Sequence, residues 1–373
     1  MYILFLYAII VLLCAYSKYA DKWYKCCFFA LFFITAFRHP SMGGTDNIAY
    51  LVTFKRVPLL TNLASYTGDY NIGYIFLNSL CKTFLGKYIF FQIVYTSICF
   101  VFLYKIINLL GISGKDKCLF LFSYLCLDFM WYQWGTLRQN VANLIFYYFA
   151  TYFYYNRACM TKKNKVVVLV CGLVCPLFFH SSAVVNIIIF PILLSLREEV
   201  NPHFRILWVL VSSIALRVTS SLFLGSLISF AGRIEQGYGD YVGTSTGNIL
   251  MYLFKISVFV IFCLKYDMID WKHKKYMLDL FTVMILIVSI DTTIVNRVAS
   301  YYSLGFYVAM ALFYMYFEGN IKLVVLPIFY VALFYLFMRH ILFTDDALLS
   351  NYCFMWNTPD AKMINNLFWR SAY

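Results

Sequence analysis

Long apolar runs recur along the whole chain, and their length is the strongest constraint on its fold. Short polar connections separate them, and the composition is 63% hydrophobic and only 13% charged. A soluble domain carries roughly 25% charged residues, whereas about 20 consecutive apolar residues cross a bilayer as a helix. The sequence therefore predicts an all-α polytopic membrane protein without a soluble domain.

About twelve of these runs are predicted as transmembrane helices, within a range of about 11–13. The run at 204–230 contains Arg217, so a tilted and a broken helix both stay open. Residues 72–86 form a shorter apolar run that contains Lys82, and we interpret them as an interfacial or re-entrant helix. The predicted spans are 1–16, 23–37, 88–104, 117–134, 138–155, 165–179, 181–196, 204–230, 248–265, 275–292, 298–317 and 321–343.

Lysines predict the orientation of the chain. When 72–86 does not span, the lysine-rich connections all fall on one side, and such loops face the cytoplasm. Both termini then face outward. If residues 72–86 did cross the membrane, the later lysine clusters would lie outside, contrary to the rule that lysine-rich loops face the cytoplasm. The whole chain is read as one transmembrane domain. Its outer parts are segment 38–87, loop 231–247 and tail 344–373.

Arginines are concentrated on the opposite side from the lysines. Seven of the eleven arginines lie in predicted outer segments. A guanidinium binds phosphate through two parallel hydrogen bonds, so an outer phosphate or diphosphate ligand is expected. Because the basic residues flank membrane segments, orientation and anionic lipid explain the net charge of +13 without nucleic acid. The candidate diphosphate-binding residues are Arg38, Arg138, Arg233, Arg297 and Arg339.

Two outer segments supply candidate catalytic groups. Asp46 ends a polar island that begins at Arg38, where it is a candidate base or sugar contact. The alternative is a turn-forming aspartate beside an arginine that reaches toward water. His180 lies in a tight connection between two spans and is a candidate base, or a ligand of a sugar or phosphate oxygen. A structural histidine is the alternative there.

Other outer residues are candidates for phosphate and sugar contacts. Arg138 and Gln139 open a predicted helix, and a helix start with an arginine favours a bound anion. Tyr238 and Tyr241 lie in a glycine-rich loop that suits stacking on sugar rings, with an ordinary loop as the alternative. Tyr301 follows Arg297 at the start of the next span.

Several motifs for cofactors and metals are missing from the sequence. It has no Walker sequence, no glycine-rich dinucleotide fingerprint with an acidic partner, no HExxH and no DxD pair. Asp267 and Asp270 fall on the cytoplasmic side as solvated residues. We therefore predict no cofactor and no obligatory divalent metal.

Taken in order, five outer motifs resemble the EpsG-like branch of the Wzy O-antigen and capsule polymerases. Asn71 departs from the pattern, because an acidic residue is expected before the Ile72-Gly73 pair. The motifs are Arg38 with Gly44-Thr45-Asp46, Tyr70-Asn71-Ile72-Gly73-Tyr74, Leu137-Arg138-Gln139, His180-Ser181-Ser182-Ala183, and Arg297 with Tyr301-Tyr302.

The resemblance implies a metal-independent, inverting glycosyltransferase of GT-C-like architecture in the bacterial inner membrane. It would transfer a growing glycan from undecaprenyl diphosphate to the non-reducing end of a lipid-linked repeat unit. Asp46, His180 and Arg138 would serve catalysis, while Gln139 and the three tyrosines named above would contact sugars. The implied partners are lipid-linked glycans, membrane lipids and a chain-length regulator.

Two other functions remain open on the same residues. One is another GT-C transferase such as an O-antigen ligase, for which a large outer loop would be expected. The other is a lipid-linked glycan transporter or flippase. Two observations count against a transporter. Many transporters contain an internal repeat, and none is evident in this sequence. The charged residues also gather at one predicted face, with Arg217 and Lys255 as exceptions.

Overall fold

The computed structural model describes residues 2–40, 45–68, 70–129, 131–195, 201–234, 249–290 and 293–343. These residues form fifteen α-helices joined by short 3₁₀ and π turns, and they contain no β-strand. The all-helical prediction is thereby confirmed. The helices are α1 (Tyr2–Ala15), α2 (Ala20–Ala36), α3 (Thr45–Arg56), α4 (Ile72–Leu85), α5 (Tyr88–Leu109), α6 (Gly114–Tyr124), α7 (Leu137–Asn156), α8 (Lys162–Val174), α9 (Asn186–Ser195), α10 (Pro202–Ile234), α11 (Ile249–Leu264), α12 (Lys274–Val288), α13 (Thr293–Ala299), α14 (Leu304–Ala311) and α15 (Gly319–Phe343).

Every predicted span coincides with one helix or with a short series of helices. Helix α10 continues without a break for 33 residues, which is about 50 Å at a rise of 1.5 Å per residue. It exceeds the roughly 30 Å hydrocarbon core, so the tilted alternative fits better than the broken one. By length and composition, Tyr88–Leu109 and Gly319–Arg339 can cross a membrane. The count of twelve stays a prediction.

The chain divides into two compact units, Met1–Leu144 with Leu323–Tyr373, and Ile145–Lys322. Within the first unit, α1 packs against α2 and α6, and α2 also contacts α5. Within the second unit, α12 is central, because it contacts α10, α11, α13 and α14. The single transmembrane domain expected from the sequence stays a prediction.

Close backbone contact fixes α14 against α12 in the second unit. A Cβ added to Gly305 would lie 2.3 Å from the carbonyl oxygen of Met277 and 2.7 Å from the amide nitrogen of Phe281. Lipid tails are as apolar as these side chains, so close packing holds membrane helices together, and small residues permit it. We infer that glycine is required at position 305 for this helix crossing.

The predicted outer segment 38–87 folds as a set of short helices. Lys82 donates from Nζ to the carbonyl of Lys55, at 2.8 Å, and also to the carbonyl of Val57. These carbonyls lie at the C-terminal end of α3, where a cation is favoured. The charge inside the apolar 72–86 run therefore has a local structural role.

Helix α4 is short for a membrane span. Its 14 residues extend about 21 Å at a rise of 1.5 Å per residue, and the helix ends at Gly86 with a left-handed φ of 71°. This length accords with the prediction that 72–86 does not cross the membrane, which stays a prediction.

Candidate functional site

Arg38 lies just beyond the end of α2 and is completely buried. Its Nη1 atom donates to the carbonyl of Thr35 at 2.8 Å. The guanidinium carbon lies 5.7 Å from the ring centre of Trp134, within range of a cation–π interaction. A buried cation in a membrane protein is costly, and such residues commonly mark a functional site.

Gln92 of α5 fixes the backbone that carries Arg38. Its Nε2 atom donates to the carbonyl of Ala36 at 2.9 Å and to that of Arg38 at 2.8 Å. The Ala36 carbonyl is one that the end of α2 leaves without a helical donor, and the Arg38 carbonyl lies just beyond it. Gln92 is not among the residues predicted from the sequence, although it is the only amide side chain in the apolar run 88–104.

Two π-helical turns precede Arg138, at Leu125–Phe129 and Trp131–Gly135. The predicted helix over 117–134 is thus α-helical only as far as Tyr124. A π turn holds more residues than an α turn and is often found at functional sites. The second turn carries Trp134, which is fully buried and faces Arg38. It links the Arg38 side chain to the residues that lead into α7.

Arg138 is the second residue of α7 and is half-buried. Its Nη1 atom donates to Oδ1 of Asn71 at 3.2 Å, and its guanidinium carbon lies 4.5 Å from the ring centre of Tyr70. Asn71 is the residue at which the sequence departs from the family pattern. Because its side chain is a neutral amide, this contact orients the guanidinium without neutralising its charge.

His180 forms part of a hydrogen-bonded chain in the second unit. It lies between two 3₁₀ turns, Cys175–Phe178 and Ser181–Val185, and is buried. Nδ1 accepts from the backbone amide of Ser182 at 3.2 Å and lies 2.7 Å from its Oγ atom. The Oγ atom lies 3.3 Å from the hydroxyl of Tyr301.

The contact with the Ser182 amide identifies the tautomer of His180. A backbone N–H is always a donor, so the Nδ1 atom that it meets must be an acceptor. In the neutral ring the proton is therefore on Nε2, an assignment that rests on hydrogen-bond geometry. In this state Nε2 can donate a hydrogen bond but has no lone pair with which to take up a proton.

Arg297 belongs to the same unit as His180. Its helix, α13, packs against the 3₁₀ turn Ser181–Val185 that follows His180. Ser300 Oγ donates to the carbonyl of Arg297 at 2.6 Å, next to Tyr301. The second unit thus assembles Arg297, His180 and Tyr301 around adjoining turns, while their common location on the outer side stays a prediction.

The remaining candidates are less informative. Tyr301 and Gln139 are buried, so this structure offers neither side chain to a sugar, and their sugar contacts stay predictions. Arg339 is exposed on α15. The side chains of Asp46 and Arg233, together with Tyr238, Tyr241 and the tail 344–373, lie outside the described residues.

No group of three or more histidine, cysteine, aspartate or glutamate side chains that could hold a metal ion occurs in the described ranges. Since some of the acidic residues lie outside those ranges, metal independence stays a prediction.

Comparisons with known proteins assign the chain to a family. Neither the curated proteins nor the solved structures contain a significant match. The model of the EpsG family matches residues 21–354, which include the Arg38, Arg138, His180 and Arg297 motifs. This chain therefore belongs to the EpsG family, a family of Wzy-like polymerases.

Proposed function

We propose that this protein is a polysaccharide repeat-unit polymerase at the outer face of the bacterial inner membrane. It would transfer a growing glycan from undecaprenyl diphosphate to the non-reducing end of a lipid-linked repeat unit. Family membership supports a polysaccharide polymerase, and the apolar helices support a membrane protein. The proposal includes twelve spans in a GT-C-like arrangement, periplasmic termini and a chain-length regulator as partner.

The position of Arg138 is the observation that carries this proposal. The side chain is half-buried at the start of α7 and is oriented by Tyr70 and Asn71. The first amide groups of a helix point toward an anion placed at that end, and a guanidinium adds bidentate contacts to phosphate. The start of α7 therefore suits the diphosphate of a lipid-linked donor.

The proposed reaction places negative charge on the diphosphate. An acceptor hydroxyl attacks the anomeric carbon of the donor while the bond from that carbon to the diphosphate oxygen breaks. The electron pair of that bond passes to the diphosphate, and the stereochemistry at the anomeric carbon is inverted. Fixed cations stabilise this developing charge. We assign that role to Arg38, Arg138, Arg233, Arg297 and Arg339, without a metal ion.

The acceptor hydroxyl loses its proton in the same reaction. Asp46 and His180 are the two candidate bases. Because His180 Nδ1 accepts from the Ser182 amide, the neutral ring carries its proton on Nε2. We therefore assign His180 as a hydrogen-bond donor to a sugar or phosphate oxygen, and Asp46 as the base.

Two arginines at opposite ends of α7 provide the test. Arg157, just after α7, lies 4.6 Å from the ring of Tyr154, closely matching Arg138 and Tyr70 at 4.5 Å. Arg138→Ala is expected to lower the polymerisation rate by about 10²–10³-fold, as for loss of one preorganised donor. Arg157→Ala loses a similar cation–π contact on the predicted cytoplasmic side and should keep the rate.

The assay uses purified protein and lipid-linked repeat units from a polymerase-deficient strain, and it follows the glycan ladder with time. Excess chelator should leave the wild-type rate unchanged. Equal rates for the Arg138→Ala and Arg157→Ala variants would refute the proposed site. A deletion strain that makes a single capped repeat unit supports a polymerase, whereas loss of all surface glycan would favour a flippase or ligase.

A further inference from the structure

A polar cavity of about 310 Å³ lies within the second unit, on the predicted cytoplasmic side. It is bounded by the start of α10, the 3₁₀ turn Tyr266–Met268 and the first turns of α12. None of the outer-face candidates lines it. The lining residues that matter here are Asn201, His203, Arg205, Tyr266, Asp267 and Lys275.

A buried carboxylate fixes two cations in the wall of this cavity. Asp279, only 3% exposed, accepts from Arg205 Nη1 at 2.5 Å through one oxygen and from Lys275 Nζ at 3.1 Å through the other. A guanidinium has five N–H donors and an ammonium has three. Each cation can therefore bond a second anion while Asp279 holds it in place.

The chain around the cavity has an excess of positive charge. Positions 201–205 and 265–279 contain five lysines and arginines but three aspartates. One of the five is Lys274, whose Nζ atom donates to the carbonyl of Tyr266 at 2.9 Å and lies 4.5 Å from that ring. The potential at this face favours an anionic ligand.

An exposed apolar surface starts at the cavity. His203, which lines the cavity, lies one turn before Leu207 on the same face of α10. Leu207, Val211 and Ile214 are each more than half exposed. Trp208, also exposed, suits the membrane interface. A cationic pocket at the end of an exposed apolar face has the layout of a phospholipid site.

We propose that this cavity binds the phosphate group of an anionic phospholipid, with the acyl chains lying along the exposed face of α10. The phosphate oxygens accept from Arg205 and Lys275, while Asp267 and Asn201 accept from headgroup hydroxyls. The volume falls within the range of small-ligand sites. Free phosphate shares this chemistry, and the apolar face is what favours the lipid.

The test measures lipid retention by the full-length protein in detergent, using native mass spectrometry. Phosphatidylglycerol is compared with phosphatidylcholine of the same acyl chains. Both lipids carry a phosphate, but choline adds a positive charge beside Arg205 and Lys275, so wild type should retain phosphatidylglycerol about tenfold better. Lys275→Gln should remove this preference. Lys322→Gln, a control at another predicted cytoplasmic lysine that lies 5.2 Å from Tyr314, should keep it.

Arg205→Lys provides a second variant that retains a cation opposite Asp279, in case Lys275→Gln does not fold. It should weaken phosphatidylglycerol retention, because a lysine cannot make bidentate contacts. Unchanged retention in both variants, or equal retention of the two lipids by wild type, would overturn the site. Inorganic phosphate is also tested alone. If it binds with the same dependence on Lys275 and displaces the lipid, the assignment of a lipid as the ligand is refuted. Because retention is measured without polymerisation, this result is independent of the proposed enzymatic function.

Discussion

The Gln92→Met variant tests whether Gln92 positions Arg38, because it leaves the Arg38 side chain itself unchanged. Methionine keeps the length and the apolar stem of glutamine but removes the donors to the carbonyls of Ala36 and Arg38. Each net hydrogen bond contributes about 0.5–1.5 kcal/mol, so their loss would cost about 1–3 kcal/mol. Oε1 of Gln92 is buried without a hydrogen bond among the described residues. Its removal offsets part of that cost, and we expect a net loss of about 1–2 kcal/mol.

This loss should affect both stability and rate. Unfolding of the detergent-solubilised protein can be followed with a thiol-reactive dye, because Cys99, Cys118 and Cys126 are buried. The transition should move down by a few degrees, at about 2–4 °C per kcal/mol. The polymerisation rate should fall about 5–30-fold if the displaced backbone carries Arg38 out of position.

Ser97→Ala is the matched control on the same helix. Ser97 Oγ donates to the carbonyl of Ile93 at 2.8 Å, a local bond of small value. This variant should behave as wild type in both measurements. If Gln92→Met matches Ser97→Ala in unfolding temperature and ladder growth, then Gln92 does not position Arg38 and the reasoning fails.

Three further predictions concern the second unit. Ser182→Ala should slow polymerisation several-fold, but less than His180→Ala does, because the backbone amide of residue 182 still donates to His180 Nδ1. Equal losses of rate in the two variants would contradict this prediction. Asp279→Asn should lower thermal stability by about 3–5 kcal/mol, because it leaves the buried Arg205 without a carboxylate, whereas Asp267→Asn should have little effect on dye-monitored unfolding. Burial, with Lys272 nearby, lowers the pKa of His273 from 6.5 to about 4. Its neutral form stabilises the fold above pH 6.5, and that contribution is lost as the pH falls toward 4; His273→Gln should flatten the dependence of unfolding temperature on pH.

The apolar helices and their approximate limits could be predicted from sequence, because apolar run length is a local property, whereas the more polar α3 was not predicted. The prediction was less accurate where backbone geometry changes within a run. The span 117–134 contains two π turns after Tyr124, and no pattern of apolar residues distinguishes such turns from α-helix. Residues 72–86 were identified as a short helix, but the partners of Lys82 at the end of α3 were not.

The sequence by itself determined the membrane class, and it predicted an orientation from the lysines and an outer face from the arginines. These follow from composition and from charge next to apolar runs, which need no knowledge of packing. Only the tertiary structure decided that Gln92 holds Arg38, that Asn71 orients Arg138 and that Ser182 fixes the His180 tautomer. Gln92 and Asn71 are distant in sequence from the arginines they contact, and side chains from separate helices meet only when those helices pack. Ser182 is only two residues from His180, but their contact could not be predicted without the geometry of the backbone turn, because a hydrogen bond depends on direction as well as proximity.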